Sequence, residues 1–78
     1  MEYIATFFTH SGAIRFEKFA KGQGILVQLM PVPRKLSSNC GIAARMQHEG
    51  DLRELIIEDI DSIYDAVSQP PKLIYRHP

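Results

Sequence analysis

One stretch near the middle of the chain, Pro31–Arg45, constrains most strongly what the sequence can fold into. It reads PVPRKLSSNCGIAAR and contains the only cysteine of the protein, Cys40. Pro31 and Pro33 cannot donate hydrogen bonds to a neighbouring strand, so an apolar strand that reaches them must end at a sheet edge or in a loop. The polar residues that follow predict an exposed connection between the elements before and after it.

The rest of the chain alternates between strand-like and helix-like patterns. β-Branched and aromatic residues indicate strands, and apolar residues three or four positions apart indicate helices. A helical turn starting near Ser38 competes with the third strand, because alanines favour helix. The predicted elements, in order, are a strand over Glu2–Phe8, a helix over Ala13–Lys21, strands over Ile25–Val32 and Ile42–Gln47, a helix over Asp51–Val67 and a strand over Lys72–Arg76.

The helix over Asp51–Val67 has the clearest pattern. Asp51 is suited to cap its N-terminus, and Glu54 follows three residues later, as in a capping box. Acidic residues occupy the other side, which indicates a solvated face. The apolar side at helical spacing consists of Leu52, Leu55, Ile56, Ile60, Ile63 and Val67.

The order of elements predicts an α+β protein with the ferredoxin-like βαββαβ arrangement. In this fold two helices lie on one face of a four-stranded antiparallel sheet, and residues 1–78 form a single domain. Right-handed crossovers would bring the 34–41 loop to the sheet edge where the first strand ends and the first helix begins. We therefore expect Cys40 to lie beside His10, Ser11 and Gly12, with Gln69–Lys72 at the same edge.

Composition limits the partners and the compartment. Lys and Arg together number 9, as do Asp and Glu, so the net charge is zero, which argues against a nucleic-acid partner. A chain without net charge gains no solubility from charge repulsion, which favours a homo-oligomer. One cysteine, no basic leader and no apolar run of membrane-spanning length predict a cytoplasmic protein without a membrane partner.

The chemistry of the chain is expected at Cys40. The thiolate is the nucleophilic form of cysteine, and cationic groups, helix N-terminal amides and hydroxyl donors stabilise it. His10 would act in catalysis with Cys40, and Gly41 would leave room for an incoming group. The residues predicted to stabilise the thiolate or another anion are Arg34, Ser37, Ser38, Gly41 and Ser11, with Lys35 nearby.

A simpler interpretation stays open, because a single cysteine in a small protein is more often a buried apolar residue than a nucleophile. Metal chemistry has little support, since the cysteine and the three histidines lack the spacing of a metal site. The sequence gives no reason to expect a cofactor. Gly22 and Gly24 lie at a helix end and lack a third glycine, so they do not form a nucleotide-binding fingerprint.

The run LMPVPRKLSSNCGIAAR, from Leu29 to Arg45, resembles the signature of the selenium/sulfur carrier protein-like family, with its core P-R-x-x-S-S-x-C-G. The element Phe16-Glu17-Lys18 resembles an A-E-K element of that family, with phenylalanine where a small residue is expected. The resemblance implies that Cys40 carries sulfur or selenium as a persulfide or selenosulfide. It also implies a donor protein and an acceptor protein as partners, and a relay for which the term enzyme overstates the role.

Two alternatives to a carrier remain. A ferredoxin-like module could dimerise through its sheet edges or bind a small anion at the 34–41 loop. Arg34, Ser37, Ser38 and the N-terminus of the first helix would then form the cradle. The other alternative is a peroxide-sensing thiol, which would form a sulfenic acid on mild oxidation.

Overall fold

The computed structural model describes residues 1–36 and 40–78. Within these ranges the chain forms one α-helix and a five-stranded sheet, together with a short 3₁₀ helix over Leu52–Leu55. The strand order is β2-β3-β1-β4-β5, and every neighbouring pair is antiparallel. The element bounds are β1 Glu2–Phe7, α1 His10–Gly22, β2 Leu26–Pro31, β3 Ile42–Gln47, β4 Ile60–Asp65 and β5 Lys72–Arg76.

β1 is the central strand, and its residues are buried on both faces from Tyr3 to Phe7. α1 packs on one face, which we call the helix face, where Ala13, Phe16 and Ala20 join the alternate residues of the sheet in the larger core. Thr6 faces the other side, the open face, where its hydroxyl is hydrogen-bonded to that of Ser62. These two buried hydroxyls thereby satisfy each other inside the sheet.

α1 begins three residues earlier than the sequence pattern predicts, because a cap stabilises its first turn. Thr9 is the N-cap, and its hydroxyl accepts a 2.9 Å hydrogen bond from the Gly12 amide. At the other end, Gly24 has φ +75°, a backbone angle that residues with a Cβ rarely adopt. This turn leads directly into β2.

A smaller core covers the middle of the open face. Leu36 packs there with Ile4, Ala43, Tyr64 and Ala66, and only 9 % of its surface stays exposed. Residues 32–36, which we call the strap, follow β2, and Leu36 anchors them on the open face. Apart from this strap the open face carries no second layer within the described ranges, and α1 remains the layer on the helix face.

The prediction of an α+β protein with an antiparallel sheet is confirmed, but the ferredoxin-like arrangement with four strands and two helices is wrong. Residues 51–67 instead contain the short 3₁₀ helix and β4, which pairs with β1 and raises the number of strands to five. Asp51 does cap the 3₁₀ helix by accepting from the Arg53 amide at 2.9 Å. Glu54 instead approaches His48, whose Nε2 lies 2.9 Å from its carboxylate.

A β-bulge explains why this strand resembles a helix in sequence. Ala5 and Phe7 are two positions apart in β1. Their partners in β4, Ile63 and Ile60, are three positions apart. The extra residue returns Ile60 to the helix face, so Ile60 and Ile63 reach the same core at a spacing typical of helices. The β-branched side chains of this segment then favour the extended form.

The new topology also changes which segments share the edge where β1 ends. β5 runs parallel to β1, with Lys72 opposite Asp65 and Arg76 opposite Ser62. Gln69–Lys72 consequently lies at the far edge of the sheet, and the prediction that it accompanies Cys40 is wrong. His77 lies instead at the edge where β1 ends, and its ring meets that of Phe8 edge-on with the ring centroids 5.3 Å apart. Across the part of the chain that is described, no helix is both long and apolar enough to traverse a bilayer.

Candidate functional site

The first turn of α1 contacts the residue that bears the thiol. Nε2 of His10 lies 2.7 Å from the carbonyl oxygen of Cys40. A carbonyl oxygen only accepts, so Nε2 is the donor whether the ring is neutral or protonated. The topology therefore brings His10 and Cys40 together from positions 30 residues apart, as expected, but the histidine contacts the backbone of Cys40 through this bond.

The thiol of Cys40 sits between the core and solvent. The side chain is half-buried and packs against the helix-face core. Sγ donates a 3.4 Å hydrogen bond to the carbonyl oxygen of Ile42, two residues later. This contact turns the sulfur towards the backbone of β3. Cys40 is thus neither a fully buried apolar residue nor a fully solvated nucleophile.

Gly41 shapes the backbone beside the thiol. Its φ is +76°, in the left-handed region that favours glycine. Its carbonyl accepts from the Val32 amide at 3.1 Å, which extends the β2–β3 ladder by one pair. Among the described residues, a Cβ added at Gly41 would meet no atom within 4 Å, so these residues leave the space beside it open. The positive φ agrees with the tight turn expected at this glycine, and room for a reactant stays a prediction.

The other predicted site residues are placed less closely. Ser11 is exposed in the first turn of α1. Arg34 is exposed in the strap, where the Leu36 amide donates to the Pro33 carbonyl at 3.0 Å and Leu36 packs on the open face. Ser37 and Ser38 lie outside the described residues. The described site residues that lie together are therefore His10, Cys40, Gly41 and the start of α1.

An ion pair that sequence reasoning missed braces the start of α1. Arg15 donates from Nη2 and Nε to the two carboxylate oxygens of Asp59, at 2.7 and 3.0 Å. The hydrogen bonds and charge of Arg15 hold the pKa of Asp59 below its usual value, and Asp59 raises the pKa of Arg15. No local sequence pattern indicates this ion pair, because the predicted helix over Asp51–Val67 placed Asp59 on a solvated face.

Gly12 brings the two segments of this brace into contact. A Cβ at Gly12 would lie 3.1 Å from Cβ of Asp59, closer than most real contacts. The absence of a side chain thus allows the first turn of α1 to approach the segment that precedes β4.

Two surface depressions in the described part of the chain are lined by residues other than Cys40. One of about 370 Å³ is lined by residues around Gly24 and His48, and one of about 230 Å³ is lined by Leu26–Gln28 of β2 and Arg45–Gln47 of β3. The described ranges also hold no cluster of three or more metal-ligating side chains. Cys40 therefore lies outside these depressions, at the sheet edge where β1 ends.

The fold and this edge define a small α+β protein with its single cysteine between a helix start and a glycine turn. Residues 2–65 match the family described as "Putative Se/S carrier protein-like", and the chain belongs to this family. The match contains α1 and Cys40 and ends with the last residue of β4, so β5 lies beyond it. No curated protein and no solved structure shows significant similarity to the chain.

Proposed function

We propose that this protein carries sulfur or selenium on Cys40, as a persulfide or selenosulfide, from a donor protein to an acceptor protein. The observation that supports this most is the position of Cys40, which is half-buried next to Gly41 at the end of the sheet where β1 ends. Membership of the Se/S carrier protein-like family gives the cargo its chemical class. The reducing cytoplasm is the compartment that this proposal assigns to the relay.

The transfer needs no external oxidant. The Cys40 thiolate attacks the terminal sulfur of a donor persulfide, forming a new S–S bond as the S–S bond of the donor breaks. The donor leaves as a thiolate, and the proton of the Cys40 thiol passes to solvent. An acceptor thiolate then attacks the terminal atom on Cys40 in the same way and regenerates the thiol. A terminal selenium atom moves by the same exchange.

The contacts of Cys40 specify what must change before it reacts. The hydrogen bond from Sγ turns the sulfur towards the carbonyl of Ile42, so attack requires the side chain to turn away from that carbonyl. The bond from His10 holds the Cys40 carbonyl and does not involve Sγ. We therefore assign His10 as a positioning residue. The open space at Gly41 admits the donor sulfur.

The stabilising residues beyond this contact set are part of the proposal. Ser11 contributes a hydroxyl at the helix start, and Arg34 contributes a cation from the strap. Ser37 and Ser38 contribute hydroxyls from the positions before Cys40 in the sequence. An anion site at the same residues, without sulfur carriage, predicts that Arg34→Ala abolishes function and Cys40→Ser retains it.

Intact-mass spectrometry after incubation with a polysulfide, or with a cysteine desulfurase and cysteine, tests the proposal. We expect the wild-type chain to gain the mass of one sulfur atom, and dithiothreitol to remove it. The Cys40→Ser variant is the matched control, since it replaces only the sulfur. Absence of the adduct from wild type, or its presence on Cys40→Ser, would rule out carriage by this thiol.

A further inference from the structure

β2 is an edge strand with an exceptional composition. It has β3 as its single strand neighbour in the described sheet, and its sequence LVQLMP carries no charged residue. Leu26 is 74 % exposed, more than any other large apolar residue among those described. Natural sheets usually protect edges with charges or prolines, as β5 does with Pro70, Pro71, Lys72 and Arg76 around it. The β2 edge lacks this protection along most of its length.

The hydrogen-bonding pattern identifies which backbone groups of β2 face outward. The Val32 amide donates to Gly41, so Val32 and Gly41 form a hydrogen-bonded pair of the β2–β3 ladder. Such pairs alternate along antiparallel strands. Met30, Gln28 and Leu26 therefore bond to β3. The N–H and C=O groups of Val27 and Leu29 point away from β3, towards the open edge.

We propose that a second copy of this chain pairs with this edge, β2 against β2, around a two-fold axis at Gln28. An antiparallel pairing of identical strands keeps both copies' helix faces on the same side only when the axis passes through a residue position. With Gln28 on the axis, Val27 of one copy meets Leu29 of the other. Their outward amides and carbonyls then form four hydrogen bonds between the copies.

The side chains suit this register. Leu26 and Met30 alternate with the core-packed Val27 and Leu29, so they lie on the open face and meet across the dimer. Gln28 meets Gln28, and each amide can both donate and accept. No like charges oppose each other, since β2 has none. The exposed Leu26 thereby gains an apolar neighbour.

The ends of β2 limit the pairing to this segment. The next outward pair would join Pro31 to Ile25 of the second copy. Pro31 has no N–H, and the amide of Ile25 already donates to the carbonyl of Ala20 at 2.9 Å. Neither group loses a bond by remaining outside the pairing. The register around Gln28 thus uses the groups that β2 offers and stops where they end.

The dimer keeps the two thiols apart and accessible. Cys40 follows the far end of β2, about 15 Å along the strand from the axis at ~3.3 Å per residue. Because the copies run antiparallel, their thiols lie beside opposite ends of the paired β2 strands in a continuous ten-stranded sheet. The dimer therefore forms without a Cys40–Cys40 disulfide, and reducing agent leaves it intact.

The expected affinity is modest. Specific interfaces of standard size bury about 1,200 Å² or more, and a five-residue edge pairing is smaller, so we expect a Kd of about 10–100 µM. Sedimentation equilibrium in dithiothreitol, over concentrations that bracket this range, measures the association. A wild-type chain that remains monomeric throughout would overturn the proposal and would leave β2 to another partner.

Charge variants at Gln28 test the axis itself. Gln28→Lys and Gln28→Glu each place like charges opposite each other, so each alone should lose at least tenfold in association. An equimolar mixture places Lys against Glu and should recover dimers of mixed composition. Gln28 is exposed, and circular dichroism checks that both variants fold. Leu73→Lys on β5 is the control and should dimerise as wild type does. A mixture that remains monomeric, or a dimer that only Leu73→Lys abolishes, would refute pairing through β2.

Discussion

Nε2 of His10 donates a 2.7 Å hydrogen bond to the carbonyl oxygen of Cys40, so the first turn of α1 holds the backbone of the thiol-bearing residue. The thiol itself donates to Ile42. These two bonds fix the backbone and the side chain of Cys40 separately. They imply that the residue is held in a resting conformation, with the sulfur turned towards a carbonyl.

His10→Ala should therefore increase the rate at which iodoacetamide alkylates Cys40, because the loosened backbone weakens the thiol's contact with Ile42. Loss of the hydrogen bond should also lower the free energy of unfolding by about 1 kcal/mol. His10→Gln is the matched variant, since its amide can still donate. If His10 instead acted as a base or as a cation beside the thiolate, His10→Ala would slow alkylation, and that result would contradict a positioning role.

Gly41→Ala should destabilise the protein by about 1 kcal/mol, because φ of +76° is unfavourable for a residue with a Cβ. It should also change the rate of sulfur loading on Cys40, since the strain acts on the neighbouring peptide. Gly24→Ala has the same angle problem at φ +75° but lies at the end of α1. It should cost similar stability in urea unfolding and leave sulfur loading unchanged. Equal loading defects in both variants would point to a global effect.

The contact between His10 and Cys40 could be predicted from sequence because it depends on the first three strands and α1. Those elements have clear local patterns, and the crossover rule then places the helix start beside the loop after β2. The edge position of Pro31 followed from its missing amide. This half of the prediction is correct even though the ferredoxin-like fold is wrong.

The structure of residues 51–67 could not be predicted, because the spacing of their apolar residues depends on how β4 pairs with β1. Ile60 and Ile63 reach the same core only because of the bulge opposite β1. Their three-residue spacing, taken alone, predicts a helix. The ion pair of Arg15 with Asp59 depends on β4 being a strand, so it was missed with it. The anchoring of the strap by Leu36 likewise depends on Tyr64 in β4 and Ala66 just after it.

Asp59→Asn should destabilise the protein at neutral pH and lower its midpoint of thermal unfolding by a few degrees. The pKa of Asp59 is lowered in the folded state by Arg15, so the carboxylate contributes stability above its unfolded pKa of about 3.9. That contribution disappears as the pH falls through the lower folded pKa. Urea unfolding at neutral and strongly acidic pH should show the difference between wild type and Asp59→Asn shrinking in acid.

The exposed Glu58→Gln provides the control for this pH dependence. It removes a neighbouring negative charge and keeps both hydrogen bonds between Arg15 and Asp59. We expect it to unfold nearly as wild type does at both pH values. A difference for Asp59→Asn that is equally large in acid would show that the brace acts through packing and owes nothing to charge.

Leu36→Ala should cost about 2–3 kcal/mol of stability, because a buried leucine loses its contacts and leaves a cavity in the open-face core. Leu36 also anchors the strap that precedes the thiol, so its loss should alter the alkylation rate of Cys40. Leu26→Ala removes an equal side chain that is 74 % exposed, and a monomer should tolerate it with little change. Chemical unfolding at protein concentrations below the expected Kd compares the two variants. If Leu36→Ala unfolds like Leu26→Ala and leaves alkylation unaltered, the strap does not hold the Cys40 loop in place.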